Sequence, residues 1–116
     1  GVLVGDVQGR SGRHMLPPGV WELGVELYDP VWRGRGIGSE AVALLTGYLF
    51  SARGAGRIQA TTDVENGAMR GLLRALGFAE EGVLQGFMPG GDSVRHDYVM
   101  AAVTAERWTA LPATRP

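Results

Sequence analysis

Residues 33–38 read Arg-Gly-Arg-Gly-Ile-Gly, and a helix-forming apolar run starts within them. The first amides of a helix have no intrahelical partner, and the macrodipole adds roughly half a positive charge there. Glycines let a large anion approach the backbone, and Arg33 and Arg35 add charge-assisted contacts. The chemistry offered by Arg33, Gly34, Arg35, Gly36, Ile37 and Gly38 is that of a diphosphate cradle. A glycine-rich surface turn is the alternative, and 19 glycines in the chain keep it open. Other chemistries are absent. With no cysteine there is no disulfide, thiolate metal site or cysteine nucleophile. All 11 basic residues are arginine, so no Schiff-base or P-loop lysine exists. His14 and His96 show no metal-ligand spacing, and no metal is expected.

The elements that must position this loop follow from periodicity. Residues 2–8 form a short apolar stretch, read as an edge strand, and 9–19 a loop marked by Pro17 and Pro18. In "VWELGVELY", Trp21, Leu23, Val25 and Leu27 alternate with Glu22, Gly24, Glu26 and Tyr28, a strand with one polar face. Asp29-Pro30 ends it. Ile37, Ala41, Leu44, Leu45, Tyr48 and Leu49 then mark one face of a helix to about Arg53, with Gly54 at its end. Gly47 costs that helix about 1 kcal/mol relative to alanine and suits close packing. Residues 57–63 read as a strand. A second helix follows Asn66, with Met69, Leu72, Leu73 and Leu76 on one face and Gly77 closing it. Residues 78–87 and 94–103 read as strands joined by a turn at Pro89–Asp92. The expected class is an α/β (α+β) mixed-sheet sandwich.

The chain has 116 residues, 45% apolar and 20% charged, which suits one globular domain. Its net charge of −1 argues against a nucleic-acid partner. No apolar run approaches the roughly 20 residues of a membrane span. Freedom from cysteine fits a reducing cytoplasm. Residue 1 is glycine and a strand already begins there, so a preceding part of the domain is expected. Residues 1–108 are read as one domain, and 109–116 as a loose tail with Trp108 as an anchor.

Two nucleotide loops are weighed for the glycine-rich turn, and the missing lysine rules out the Walker type. A dinucleotide fingerprint finds its first two glycines in Gly34 and Gly36, but Ser39 takes the third, and Asp63 stands where a ribose-binding acid belongs. The long connection from Tyr28 and the polar strand face oppose that reading. A third match is broader. Arg33–Gly38 resembles the Q/R-x-x-G-x-G/A motif of the GNAT-superfamily N-acetyltransferases. Residues 22–50 are similar to that family's fourth strand, pyrophosphate loop and third helix. Residues 58–87 resemble its fifth strand, its asparagine-led helix ending in Leu-Gly-Phe, and the following strand. Residues 97–108 resemble the last strand of the branch that includes the ribosomal-protein-alanine acetyltransferases. The ordered set spans about residues 1–108 and carries more weight than any one motif.

The resemblance implies an N-acetyltransferase that moves acetyl from acetyl-CoA to a primary amine within a ternary complex. It implies that backbone at Val25, Leu27 and Tyr28 pairs with the pantetheine arm, that amides of 33–38 hold the pyrophosphate, and that Asn66 contacts the cofactor. Asn66 also reads simply as a helix N-cap. A strand amide near Leu27 or Tyr28 is the implied oxyanion donor. Glu26 and Glu22, on the polar strand face, are candidate proton acceptors, with Asp97 and His96 as rivals. Solvated surface carboxylates are the plainer reading of both glutamates. The family's usual thiolate-protonating tyrosine, seven residues after the asparagine, is replaced by Leu73, and the branch's serine by Met69. Tyr98 and Tyr28 are the substitutes at hand, or the thiolate leaves unassisted, which a thiol pKa of about 8.5 tolerates. The family's opening strand and helices have no counterpart here, so the expected fold is a GNAT-like acyl-CoA acyltransferase fold, N-terminally truncated. A second copy, giving a homodimer, would cover the sheet face so exposed. A non-catalytic acyl-CoA-binding module is the alternative function, and a dinucleotide-binding fragment a more distant one.

Overall fold

The structure, a computed structural model, describes residues 5–10, 16–27 and 37–111. Strands β1 (Gly5–Arg10) and β2 (Val20–Leu27) precede helix α1 (Ile37–Ala52). Strand β3 (Arg57–Asp63), helix α2 (Gly67–Ala75), strands β4 (Ala79–Pro89) and β5 (Arg95–Thr104), and a short helix α3 (Ala105–Ala110) follow. The strands form one mixed sheet in the order β1-β2-β3-β5-β4. β2 and β3 run parallel because α1 carries the chain back across the sheet; the other pairings are antiparallel. Apart from α3, this is the expected order of elements. No helix among the described residues is long and apolar enough to cross a membrane.

Local chemistry sets the helix ends. The Asn66 side chain accepts a hydrogen bond from the Met69 amide at 3.1 Å and caps α2. Gly77, at φ +95°, turns the chain out of that helix, and the Phe78 amide donates to the Leu73 carbonyl at 2.9 Å.

The core lies between the sheet and one layer of helices. Leu23 of β2, Ile58 and Ala60 of β3, and Ala101 and Val103 of β5 meet Val42 and Leu49 of α1 and Leu73 and Leu76 of α2. The alternation of buried and half-buried residues along β3 leaves its other face to Arg57, Gln59, Thr61 and Asp63. In α1 the buried stripe is Val42, Thr46 and Leu49. Leu44 and Tyr48, read from the sequence as core-facing, are 69% and 53% exposed. The helix is apolar nearly all round, so its period alone could not select the inner face, and a threonine occupies its centre.

Ile58 is fully buried where α1, β2 and β5 converge on β3. Ile58→Ala is expected to destabilise the fold by about 2–5 kcal/mol, through lost burial and the cavity left behind. A urea titration checks this, with the midpoint falling and the slope unchanged.

The residues just past β5 are not loose. Thr104 caps α3 through its hydroxyl, which accepts from the Arg107 amide at 3.3 Å. Trp108 lies 5.8 Å from the Phe50 ring, and a Cβ at Gly47 would meet its Cζ2 at 4.0 Å. The anchor expected of Trp108 and the close packing expected at Gly47 are therefore one contact. Leu111 closes over Gly77, so packing continues past the boundary read at residue 108.

Candidate active site

The sheet opens between β2 and β3. Their parallel pairing covers only Val20 with Arg57, Trp21 with Ile58 and Glu22 with Gln59. β2 continues to Leu27 paired with β1 alone, and β3 continues to Asp63 paired with β5 alone. Among the described residues, Leu23–Leu27 and Ala60–Asp63 thus each have one edge without a strand partner. Main-chain donors and acceptors directed into such a wedge need other partners. An extended ligand rich in amides fits that need. At the wide end β2 stops at Leu27, and α1 begins at Ile37 and Gly38.

A polar chain marks the narrow end. Glu81 Oε1 and Oε2 accept from Arg57 Nη2 and Nη1 at 2.8 and 2.9 Å. Arg57 Nε donates to Gln59 Oε1 at 3.0 Å, and Gln59 Nε2 donates to Glu22 Oε1 at 3.4 Å. The carboxylate of Glu81 raises the Arg57 pKa, and the guanidinium lowers that of Glu81. Glu22 therefore stands at the last paired position before the strands part.

A second group lies at the far end of β3. His96 Nδ1 is 2.8 Å from Asp63 Oδ2, and its Nε2 is 3.1 Å from both oxygens of Asp92. Asp63 and Asp92, in that order, raise the imidazole pKa. Asp63 is lowered first by the Glu65 amide and then by His96. Asp92 is lowered first by the Val94 amide and then by His96. Asp63, Glu65 and His96 also offer ligand atoms within 4.8 Å of one another. With a carboxylate at each ring nitrogen, the imidazole ties the β4–β5 turn to β3.

The stabilising contribution of His96 is full below its unfolded pKa, about 6.5, and is lost as pH rises through its raised folded value. That of the aspartates is full above about 3.9 and is lost as pH falls through their lowered values. His96→Gln is expected to lower Tm most at about pH 5–6, with the gap narrowing as pH rises through the raised folded pKa of His96. Paired thermal melts across this range check the sign.

The expected site residues fall into separate places. Val25, Glu26 and Leu27 lie on the stretch of β2 that pairs with β1 but not with β3, with only their backbone described. Tyr28, Arg33, Gly34, Arg35 and Gly36 lie outside the described residues. Asn66 sits just beyond β3 and makes its cap bond. Tyr98 pairs in register with Asp63, and its ring lies 5.5 Å from Phe87. The Asp97 carboxylate accepts from the Gly86 amide at 2.8 Å within the irregular part of β4, and its carbonyl accepts from Val64. Asp97 thus orders the sheet edge. Gln59 and Arg57 went unnoticed in the sequence, where only the parallel register of β3 beside β2 would have linked them to Glu22.

Known proteins share this arrangement. The sequence pattern of the acetyltransferase (GNAT) domain matches residues 2–79. An uncharacterized N-acetyltransferase, YoaA, from Bacillus subtilis is 40% identical over 67 residues, covering 58% of this chain and 37% of that protein. The solved ribosomal-protein-S5-alanine acetyltransferase from Vibrio fischeri superposes with a TM-score of 0.80 at 25% identity, covering 90% of this chain and 56% of its own. Mycobacterium smegmatis RimJ in complex with CoA-disulfide gives 0.78 at 29%, covering 91% and 49%. The chain thus spans between about a third and a little over half the length of these relatives. With the mixed sheet and its opening described, the matched stretch identifies the chain as a member of the GNAT acetyltransferase-domain family.

Proposed function

We propose that the protein transfers acetyl from acetyl-CoA to a primary amine, by direct attack of the amine on the thioester. The opening between β2 and β3 carries this reading. Unpaired edges of Leu23–Leu27 and Ala60–Asp63 offer main-chain partners for the two amides of a pantetheine arm, with Val25 and Leu27 on one side. Tyr28 and the amides of 33–38 then receive the diphosphate at the wide end. The thioester lies along β2 between Leu27 and Glu22. The Glu22 carboxylate accepts the amine proton through water as the new C–N bond forms. A strand amide near Leu27 steadies the oxyanion, which collapses with release of the thiolate. Glu26 is the alternative acceptor. Tyr98 is the candidate acid for the thiolate, on the strand face that also carries Asp63.

A non-catalytic acyl-CoA-binding role is the second reading. It draws on Leu73, which stands where the family's usual acid belongs and is 2% exposed in the core. One experiment separates the two: thiol release from acetyl-CoA across a panel of primary amines, with calorimetry of coenzyme A binding. Amine-dependent release supports transfer. Binding without release supports the module, and absence of binding sinks both.

A further inference from the structure

We propose that Gln59 is a positioning residue that aims the Glu22 carboxylate at the opening between β2 and β3, with its own orientation imposed by Arg57 and Glu81. This rests on the reading of Glu22 as proton acceptor. A glutamine amide can present either its oxygen or its nitrogen to a neighbour. Arg57 removes that choice, because a guanidinium has only donors. Its Nε–H points at Gln59 Oε1 at 3.0 Å, so Nε2 faces Glu22, whose Oε1 it meets at 3.4 Å. Arg57 is held in turn by the two-point contact with Glu81.

Glu81 reaches this position through an irregularity. Glu80 pairs with Ala101 and Gly82 with Met100, leaving Glu81 as the extra residue of a bulge in β4. Strand β5 separates β4 from Arg57, and Ala102, which pairs with both Gln59 and Ala79, presents only a methyl group there. Ala102 is 4% exposed, as expected beneath a side chain crossing it. The bulge, the small residue and the arginine thus form one support running from the sheet edge to Glu22. Among the described residues the contact engages Glu22 Oε1 and not Oε2.

The test compares Gln59→Leu, Gln59→Glu and Glu22→Gln with the unmodified protein. Each is assayed with acetyl-CoA and whichever panel amine gives the fastest thiol release, and Gln59→Leu is also crystallised. Gln59→Leu is expected to lower kcat about tenfold or more, the scale of one lost hydrogen bond to a charged group, with KM for acetyl-CoA unchanged. Its crystal structure should show Glu22 in a different rotamer. Gln59→Glu keeps the Arg57 contact but sets a second carboxylate beside Glu22, so the acidic limb of the pH–rate profile should move up by about one unit. A merely structural glutamine would move neither the rotamer nor the profile. Normal kcat in Gln59→Leu with Glu22 unmoved overturns the proposal even where Glu22→Gln is inactive. If Glu22→Gln retains full turnover, the proton-acceptor reading fails first, and the proposal with it. Should no amine support release, the rotamer comparison decides alone, and an unmoved Glu22 again overturns it.

Discussion

Glu22→Gln is expected to lower kcat about 10²–10⁴-fold, the usual range for a lost general base, while leaving coenzyme A affinity near normal. A primary amine is mostly protonated at neutral pH, its pKa lying between about 8 and about 10. Even the neutral amine must shed a proton as it bonds to carbon. Glutamine matches glutamate in shape, and its carbonyl oxygen can still accept from Gln59, so the polar chain to Arg57 survives. The proton acceptor alone is removed. Stopped assays that trap the released thiol give kcat, and calorimetry gives the affinity. A parallel fall in both would mean that Glu22 serves cofactor binding. Full turnover would pass the role to Glu26, four residues along β2.

The second large effect is expected at Gly36→Glu, which should weaken coenzyme A binding about a thousandfold. A unit charge about 4 Å from one phosphate charge costs about 4 kcal/mol at an effective dielectric of about 20. That energy corresponds to about three orders of magnitude in affinity. The new side chain also adds bulk one residue before α1. Folding should be unaffected, since the core contacts of α1 come from Val42 and Leu49 further along. Calorimetry with coenzyme A checks the loss, and a thermal melt without ligand checks the fold. Unchanged affinity would remove the loop from the site.

Much of this molecule is legible in its residues because local rules govern it. The alternation in β2, the Asn66 cap and the glycine at the end of α2 each depend on neighbours within a few positions. The inner face of α1 is different. Val42 and Leu44 are equally apolar in kind, and only the position of the sheet decides that one is buried and the other exposed. α3 was missed because a six-residue helix has little period of its own and depends on Trp108 reaching Phe50. The candidate site divides along the same line. The loop at 33–38 is expected from composition, and residues 33–36 of it lie outside the described residues. The support for Glu22 requires Arg57 and Gln59, which the strand period puts on one face of β3, and Glu81 in the β4 bulge, and no sequence period links these to each other across strands or to Glu22. The register of the sheet alone makes them neighbours.

The early divergence of β2 from β3 also has a mechanical side. The β1–β2 ribbon joins the rest of the sheet along a seam of three residue pairs, backed by Leu23 in the shared core. Such a sheet behaves less like a plate than like two leaves on a short spine. Bridging the leaves with cross-strand bonds would harden the protein while erasing the slot proposed for a thioester, so the narrow seam is inseparable from the proposed use.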